Sequence, residues 1–510
     1  AGGAAGAAGA AGAANGCAAG GAGGVTVAAG PGVFIPRLMV KSSAAAGAAA
    51  GAAAAVGAGV SAGAGALGWG PGGWAAGAQY GAVGCLAFLG TNWLAASAAR
   101  LRVGAGGRRN RGSGPAGPSS RPGCTIVLPV KGCSPGKAHN GAHQLFSDYP
   151  GALEFLFVVE STRDPAYAAA LGTDFTQAAP GPRAVRVVVA GCASTSSQKL
   201  HNMLEGIKQS AKSSKYVLFL DDDVRAHPQL IVHLQAALED DPKVFLATGY
   251  PLDLVPAGSN LWAHAVAAFH MLLLPAMSHG RSFFAWGGCM MFRRDDLVRD
   301  SYGLVSAWRN GGYSDDLIAG TKCFEHGRKI ACPEAAHMFQ PVDGEWSGAK
   351  FWNYIRRQLF VLTTYTDPFS RAYHALLLLS NALFFATVIL GLAVSGLAAL
   401  PFDGLPTCLE FAPVHRCLSV VVLSTALASL AALGLMRRVA VAASAAWLRQ
   451  PPKGLDLWHF DWSLTALGFL TMAAACPPAA LLGALSDTIV WSGIAYTRRR
   501  GLVARVQPLQ

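Results

Sequence analysis

The sequence predicts an α/β domain, built on a mostly parallel sheet and set between membrane segments. Three observations lead there. Four short apolar runs, Thr125–Val130 (TIVLPV), Leu153–Val159 (LEFLFVV), Val185–Val189 (VRVVV) and Val217–Leu220 (VLFL), are separated by polar, helix-forming stretches, as in right-handed βαβ units. Acidic residues gather just where such runs stop. Only 13% of the 510 residues are charged and 52% are hydrophobic, against about 25% charged in a typical soluble domain, so part of the chain should lie in lipid.

The net charge of +12 is scattered and falls near apolar runs, without a basic stripe interleaved with stacking aromatics. That excludes nucleic acid as a partner and favours anionic lipid and a phosphate-bearing donor. The 11 cysteines form no CxxC pair and show no zinc-ligand spacing.

Residues 1–68 are almost wholly Ala and Gly, broken only by Phe34–Lys41. They bury too little surface to fold alone, so disorder is expected and no function is assigned. Residues 73–99 are uncharged and carry Trp74, Tyr80 and Trp93. This suits a transmembrane helix with interfacial aromatics, or else a Gly-rich buried helix. The basic Gly/Ser/Pro linker 100–123 follows, and its Arg100, Arg102, Arg108, Arg109 and Arg111 place the next domain in the cytosol.

The domain itself spans 124–345. Its central feature is KYVLFLDDDVR, where a buried-strand run ends abruptly at Asp221, Asp222 and Asp223. Carboxylates at a strand tip repel one another, which suits a divalent cation, Mg²⁺ or Mn²⁺, holding a diphosphate at the carboxyl edge of the sheet. An acidic turn before a helix is the other reading. Glu160 and Asp164 lie just past the second strand, and QKLHN (198–202) precedes a helix-like stretch with Lys199 available to a phosphate. FFAWGGCMMF (283–292) places Trp286 beside two glycines that permit close approach of backbone or ligand. GGYSDDL (311–317) sets Asp315 and Asp316 at a helix start, where capping accounts for one acid but not two. No GxGxxG follows the first strand, which counts against a dinucleotide enzyme.

Segment 346–374 contains FWNYIRRQLF, whose Trp352, Ile355 and Leu359 fall near one helical face, as in a helix lying on a membrane surface. The C-terminal membrane region, 375–510, has apolar runs at about 375–400, 418–436 and 463–485 and a short cytosolic tail carrying Arg498–Arg500. Pro477 and Pro478 predict that the third run bends or re-enters. Cys408 and Cys417 would flank a lumenal loop, where a disulfide is permitted.

Taken together, three acidic clusters followed by the Arg356–Arg357 pair resemble the motif order of inverting GT-A glycosyltransferases, in which three aspartate motifs precede (Q/R)xxRW. The phrases EFLFVVESTRDPAY, KYVLFLDDDVR, TGYPLDL, WGGCMMF, GGYSDDL, FWNYIRRQLFVL and DTIVWSGIAY narrow this to a resemblance to plant-type ceramide glucosyltransferases over about 124–500. The resemblance implies a Rossmann-like nucleotide-sugar domain of GT-A type, transferring glucose from UDP-glucose to ceramide at a Golgi or ER bilayer. By position, Asp164 would meet the sugar nucleotide, and Asp221 and Asp223 would hold a divalent cation on the UDP diphosphate. Asp316, beside Asp315, would be the general base; Arg356 and Arg357 would face the diphosphate, and His270 the acceptor. The chain departs from the pattern where Asn353 stands at the Q/R position and Arg357 replaces the Trp. Rival readings are the same chemistry on a polyprenyl phosphate, sterol or polysaccharide, and a membrane transporter or scaffold that only binds a nucleotide sugar.

Overall fold

Apolar runs without alternation form the middle of an eight-stranded sheet, because strands covered on both faces have no polar side to show. The computed structural model describes residues 121–133, 147–172, 183–271, 280–282, 284–342, 345–364 and 461–509, with a few isolated positions between them. The expected leader 1–68, the helix 73–99, nearly all of the linker, all but the first residue of the run 375–400, the run 418–436 and the Cys408–Cys417 pair lie outside the described residues.

In chain order the strands are β1 Gly123–Pro129, β2 Leu153–Val159, β3 Arg183–Val189, β4 Ser214–Leu220, β5 Val244–Thr248, β6 Tyr250–Leu254, β7 Gly280–Ser282, β8 Cys289–Arg293, β9 Lys329–Cys332 and β10 His337–Pro341. The helices are α1 Pro165–Leu171, α2 Gln198–Gln209, α3 Leu230–Asp240, α4 Leu261–Met271, α5 Arg294–Val298, α6 Leu304–Arg309, α7 Asp315–Glu325, α8 Gly348–Phe360 and α9 Trp462–Leu485. The sheet runs β3-β2-β1-β4-β8-β5-β9-β7. Its β3-β2-β1-β4 half is parallel throughout, as expected. The second half of FFAWGGCMMF becomes β8, an antiparallel strand between β4 and β5, so its aromatic and Met side chains line the core. On one sheet face Phe219, Phe292 and Trp308 meet edge to face; each fully buried aromatic contributes roughly 1.5–3 kcal/mol.

Three sequence expectations need correction. QKLHN does not precede a helix but opens one: Ser197 caps α2 and Gln198 is its first residue. The apolar face of α8 does not lie bare for a bilayer, because Phe351, Ile355 and Leu359 are buried in a core shared with α4 and α9. Residues 462–485 are not interrupted at the prolines: α9 is one continuous helix through Pro477 and Pro478. Its packing along α4 and α8 replaces what the missing N–H groups withhold. Gly468 permits that packing, since a Cβ there would stand 2.7 Å from the His264 carbonyl carbon. Among the described residues, α9 is the one helix long and apolar enough to cross a membrane, and Leu467, Leu481, Leu482 and Leu485 are exposed on it.

The end of the chain is folded. Strands β11 Thr488–Trp491, β12 Ile494–Arg499 and β13 Leu502–Pro508 make a small antiparallel sheet, where the sequence suggested only a short tail. Buried Arg498 ties it down, donating to the carbonyls of Phe360, Gly483 and Ser486 at 3.1 Å each, with its guanidinium 4.2 Å from the Phe360 ring.

Candidate active site

The tip of β4 is held by its neighbours. The Asp221 N–H donates to the Gly288 carbonyl (3.0 Å), and the Arg225 N–H to Phe339 (2.7 Å). Between them Asp222 and Asp223 form a half-buried turn; Gln340 Nε2 donates to Asp223 Oδ2 at 2.8 Å.

Lys199, on the first turn of α2, reaches this tip. Its Nζ lies 2.8 Å from Asp221 Oδ1 and 2.9 Å from Asp315 Oδ2, and donates to the Gly287 carbonyl at 3.2 Å. Burial works against its charge, but Asp221 and Asp315 hold its pKa well above the usual lysine value. Burial, with Asp223 and Asp315 close by, pushes the Asp221 carboxyl up to about 6 despite Lys199. Lys199, which the sequence makes available to a phosphate, bridges two carboxylates.

Asp315 and Asp316 begin α7, whose cap is Ser314. Asp315 is buried, and Trp308 Nε1 donates to its backbone carbonyl at 3.1 Å. Asp316 accepts from the Ser314 hydroxyl, from the Leu317 N–H (2.8 Å) and from the Gly287 N–H (3.2 Å). Burial first, and Asp315 next, raise its pKa to about 6. The glycines of the WGG turn make this approach possible. A Cβ on Gly287 would stand 2.6 Å from Asp315 Oδ1, and one on Gly288 would enter the Trp286 ring.

His270 and Trp286 form the adjoining wall, with ring centroids 6.4 Å apart and Tyr250 packed against both. His270 Nδ1 meets Asp253 Oδ2 at 2.8 Å, and its pKa is raised by Asp253 against the opposing effect of burial. Asp164 and Glu160 share the carboxyl edge of the sheet but sit at the end of β2, with β1 between them and β4. Asp164 caps α1, accepting from Ala166 N–H and Gly132 N–H at 2.8 Å each, and Glu160 pairs with Lys131. On α8, Arg357 lies 5.8 Å from the Tyr354 ring and 5.2 Å from the Trp491 ring. Arg356 Nε is buried without a hydrogen-bond partner among the described residues.

The structure thus brings Lys199, Asp221, Asp223, Asp315 and Asp316 together, with Trp286 and His270 alongside and Asp164 and Glu160 further along the same edge. Sequence reading gave no role to Asp253, which stands inside TGYPLDL, to Trp491 and Tyr496, which stand inside DTIVWSGIAY, or to Gln340, which lies in no quoted motif. Tyr313 stood inside a quoted motif, and its ring packs 5.4 Å from that of Tyr496.

A divalent cation fits the Asp221–Asp223 tip by charge, since Asp223 and Asp315 each raise the Asp221 pKa. No group of three or more His, Cys, Asp or Glu side chains is gathered as a metal cage among the described residues. The chemistry available is a cation-seeking carboxylate pair, a fixed ammonium and a carboxylate whose pKa burial and Asp315 raise.

Residues 144–359 match the family described as glycosyltransferase like family 2. No curated protein sequence matches the chain. Among solved structures, the chain is similar to the mannosyltransferase PcManGT from Pyrobaculum calidifontis, solved with GDP-Man and Mn²⁺ (15% identity, TM-score 0.37, covering 78% of this chain and 99% of that one). It is also similar to TarS 1–349 from S. aureus (12% identity, TM-score 0.29, covering 74% and 96%).

Proposed function

We propose that the chain, whose residues 144–359 match the family described as glycosyltransferase like family 2, transfers glucose from UDP-glucose to the primary hydroxyl of ceramide, with inversion. The observation that carries the reading is the convergence of Asp221, Asp315 and Asp316 on Lys199 and the Gly287 backbone, at the carboxyl end of β4. The ceramide acceptor is supported by the sequence resemblance and by the apolar helices α4, α8 and α9, which adjoin the His270–Trp286 wall.

In this mechanism the donor lies along the carboxyl edge, with Asp164 and Glu160 at its nucleotide end and Lys199, Arg356 and Arg357 placed for the diphosphate. Arg356 Nε has a hydrogen bond to give. Asp221 and Asp223 would hold a divalent cation, which supplies positive charge against the leaving diphosphate. Two carboxylates suffice for such an ion, because substrate phosphates and water complete its shell. Asp316 takes the proton from the acceptor hydroxyl as that oxygen attacks the anomeric carbon from the face opposite UDP. Its raised pKa makes it a stronger base than an exposed carboxylate, and the Gly287 N–H and Ser314 hydroxyl fix its direction. His270, oriented by Asp253, stands on the acceptor side with Trp286. A Golgi or ER membrane with the domain facing the cytosol belongs to the same proposal.

The test is incubation of membranes carrying the full chain with labelled UDP-glucose or UDP-galactose, with and without added ceramide, followed by lipid chromatography. Ceramide-dependent label from UDP-glucose is expected. Label in a polyprenyl phosphate or sterol fraction, or a preference for UDP-galactose, would overturn the assignment and favour the same transfer with another acceptor or donor.

A further inference from the structure

The small sheet at the end of the chain lies outside residues 144–359, yet it touches three parts of the site. Tyr496 Oη accepts from the Gln198 N–H at 3.2 Å, at the start of the helix that carries Lys199. The Val503 N–H donates to the Gly311 carbonyl at 2.8 Å, at the start of GGYSDD. Gly311, at φ +90°, takes a conformation that favours glycine, and a Cβ there would stand 2.9 Å from Leu502 Cβ. The third contact is Trp491, whose ring is 5.2 Å from the Arg357 guanidinium and 6.2 Å from the Tyr313 ring. Arg357 is therefore flanked by Tyr354 from its own helix and by an indole from a strand far away in sequence. The sheet cannot swing independently, because Arg498 fastens it to the ends of α8 and α9.

An arginine side chain loses considerable rotamer entropy when it is fixed on an anion, and a preset guanidinium loses less on binding. A cation–π contact with Trp is the strongest of its kind, and a guanidinium stacked on a ring still presents its edge N–H groups to an anion. The Arg357 charge is also felt at Tyr313, whose phenol it draws down against the effect of burial. That places it near the loop that carries Asp315 and Asp316.

We infer that Trp491 is a positioning residue for the donor: it presets the Arg357 guanidinium toward the diphosphate, so that the C-terminal sheet completes the donor site. The inference rests on the reading of Arg357 as a diphosphate-facing group. The test uses the full chain in membranes, with donor KM, kcat and the inhibition constant of UDP measured for Trp491→Ala, Trp491→Phe, Arg357→Ala and the Trp491→Ala/Arg357→Ala double variant. Trp491→Ala should raise donor KM and the UDP inhibition constant together by about 5- to 20-fold, from a half-buried cation–π contact, with kcat changed less. Trp491→Phe keeps the fold and a ring, and should recover most of the UDP affinity. In the Arg357→Ala background, Trp491→Ala should add little. Independent, additive losses overturn the inference, as does a Trp491→Ala variant that loses kcat or thermal stability while UDP inhibition is unmoved. If Arg357→Ala leaves UDP inhibition unchanged, the donor-facing reading of α8 has itself failed, and the role of Trp491 falls with it.

Discussion

Lys199 Nζ lies 2.9 Å from Asp315 Oδ2, joining the first turn of α2 to the first turn of α7. On its other side is Asp221, at 2.8 Å. The ammonium thus sits between the acid at the end of β4 and the acid beside the proposed base. It lets these carboxylates stand close together before any substrate arrives.

Replacing Lys199 by Met leaves these buried acids facing one another. A loss of about 3–5 kcal/mol of stability is expected at neutral pH, the usual cost of stripping one partner from a buried ion pair. The sign with pH follows from the raised carboxyl of Asp221, at about 6. A folded pKa above the unfolded one costs stability above it and ceases to do so as pH falls toward 4. Thermal melts at pH 8 and pH 5 should therefore show a larger deficit at pH 8; equal deficits would contradict the pairing.

Asp316→Asn should keep UDP-glucose binding within a few-fold and cut transfer by roughly 10²- to 10⁴-fold, the range for a lost general base. In the parent enzyme the base must be ionised. With its pKa near 6, the rate should fall about tenfold per pH unit below that point and level off above it. A rate that rises on acidification, or an Asn variant with normal turnover, would remove Asp316 from the role.

Gly287→Ala puts a methyl 2.6 Å from Asp315 Oδ1. Either the carboxylate or the WGG turn must move, at about 1–3 kcal/mol, and the Gly287 N–H that orients Asp316 moves with it. A fall in kcat of at least about tenfold is expected, since misplacement of this size is costly in an aligned site. Wild-type kcat in a well-folded variant would show that this turn does not set the geometry.

Chelation should stop transfer if Asp221 and Asp223 hold a divalent ion on the diphosphate, with activity restored by added Mg²⁺ or Mn²⁺. Full activity after exhaustive EDTA treatment would restrict the tip to Lys199 and the arginines.

Much of the site was legible because its residues stand at element ends. A buried strand running into three acids, two glycines beside an indole and a pair of acids at a helix start each mark a place where backbone geometry aims side chains outward. The register of β4 against β8 was not legible, although it is what brings Gly287 and Gly288 to the acidic tip. That Lys199 bridges Asp221 and Asp315 was not legible either, because its two acidic partners come from other segments. The proline pair in 463–485 points to an interruption, yet α9 runs on through both prolines with α4 and α8 packed along it. Asp253, which orients His270, lies on a strand that no periodicity announced.

By itself, then, the sequence determined which segments are buried, where the chain turns and which carboxylates are available, since burial pattern, capping and glycine placement act over a few residues. Only the tertiary structure decided which charge answers which: that Lys199 neutralises Asp221 and Asp315, that Gly287 orients Asp316, and that Trp491 lies against Arg357. Those pairings act through space at a few ångströms between segments 22 to 134 residues apart, and spacing along the chain carries no record of such distances.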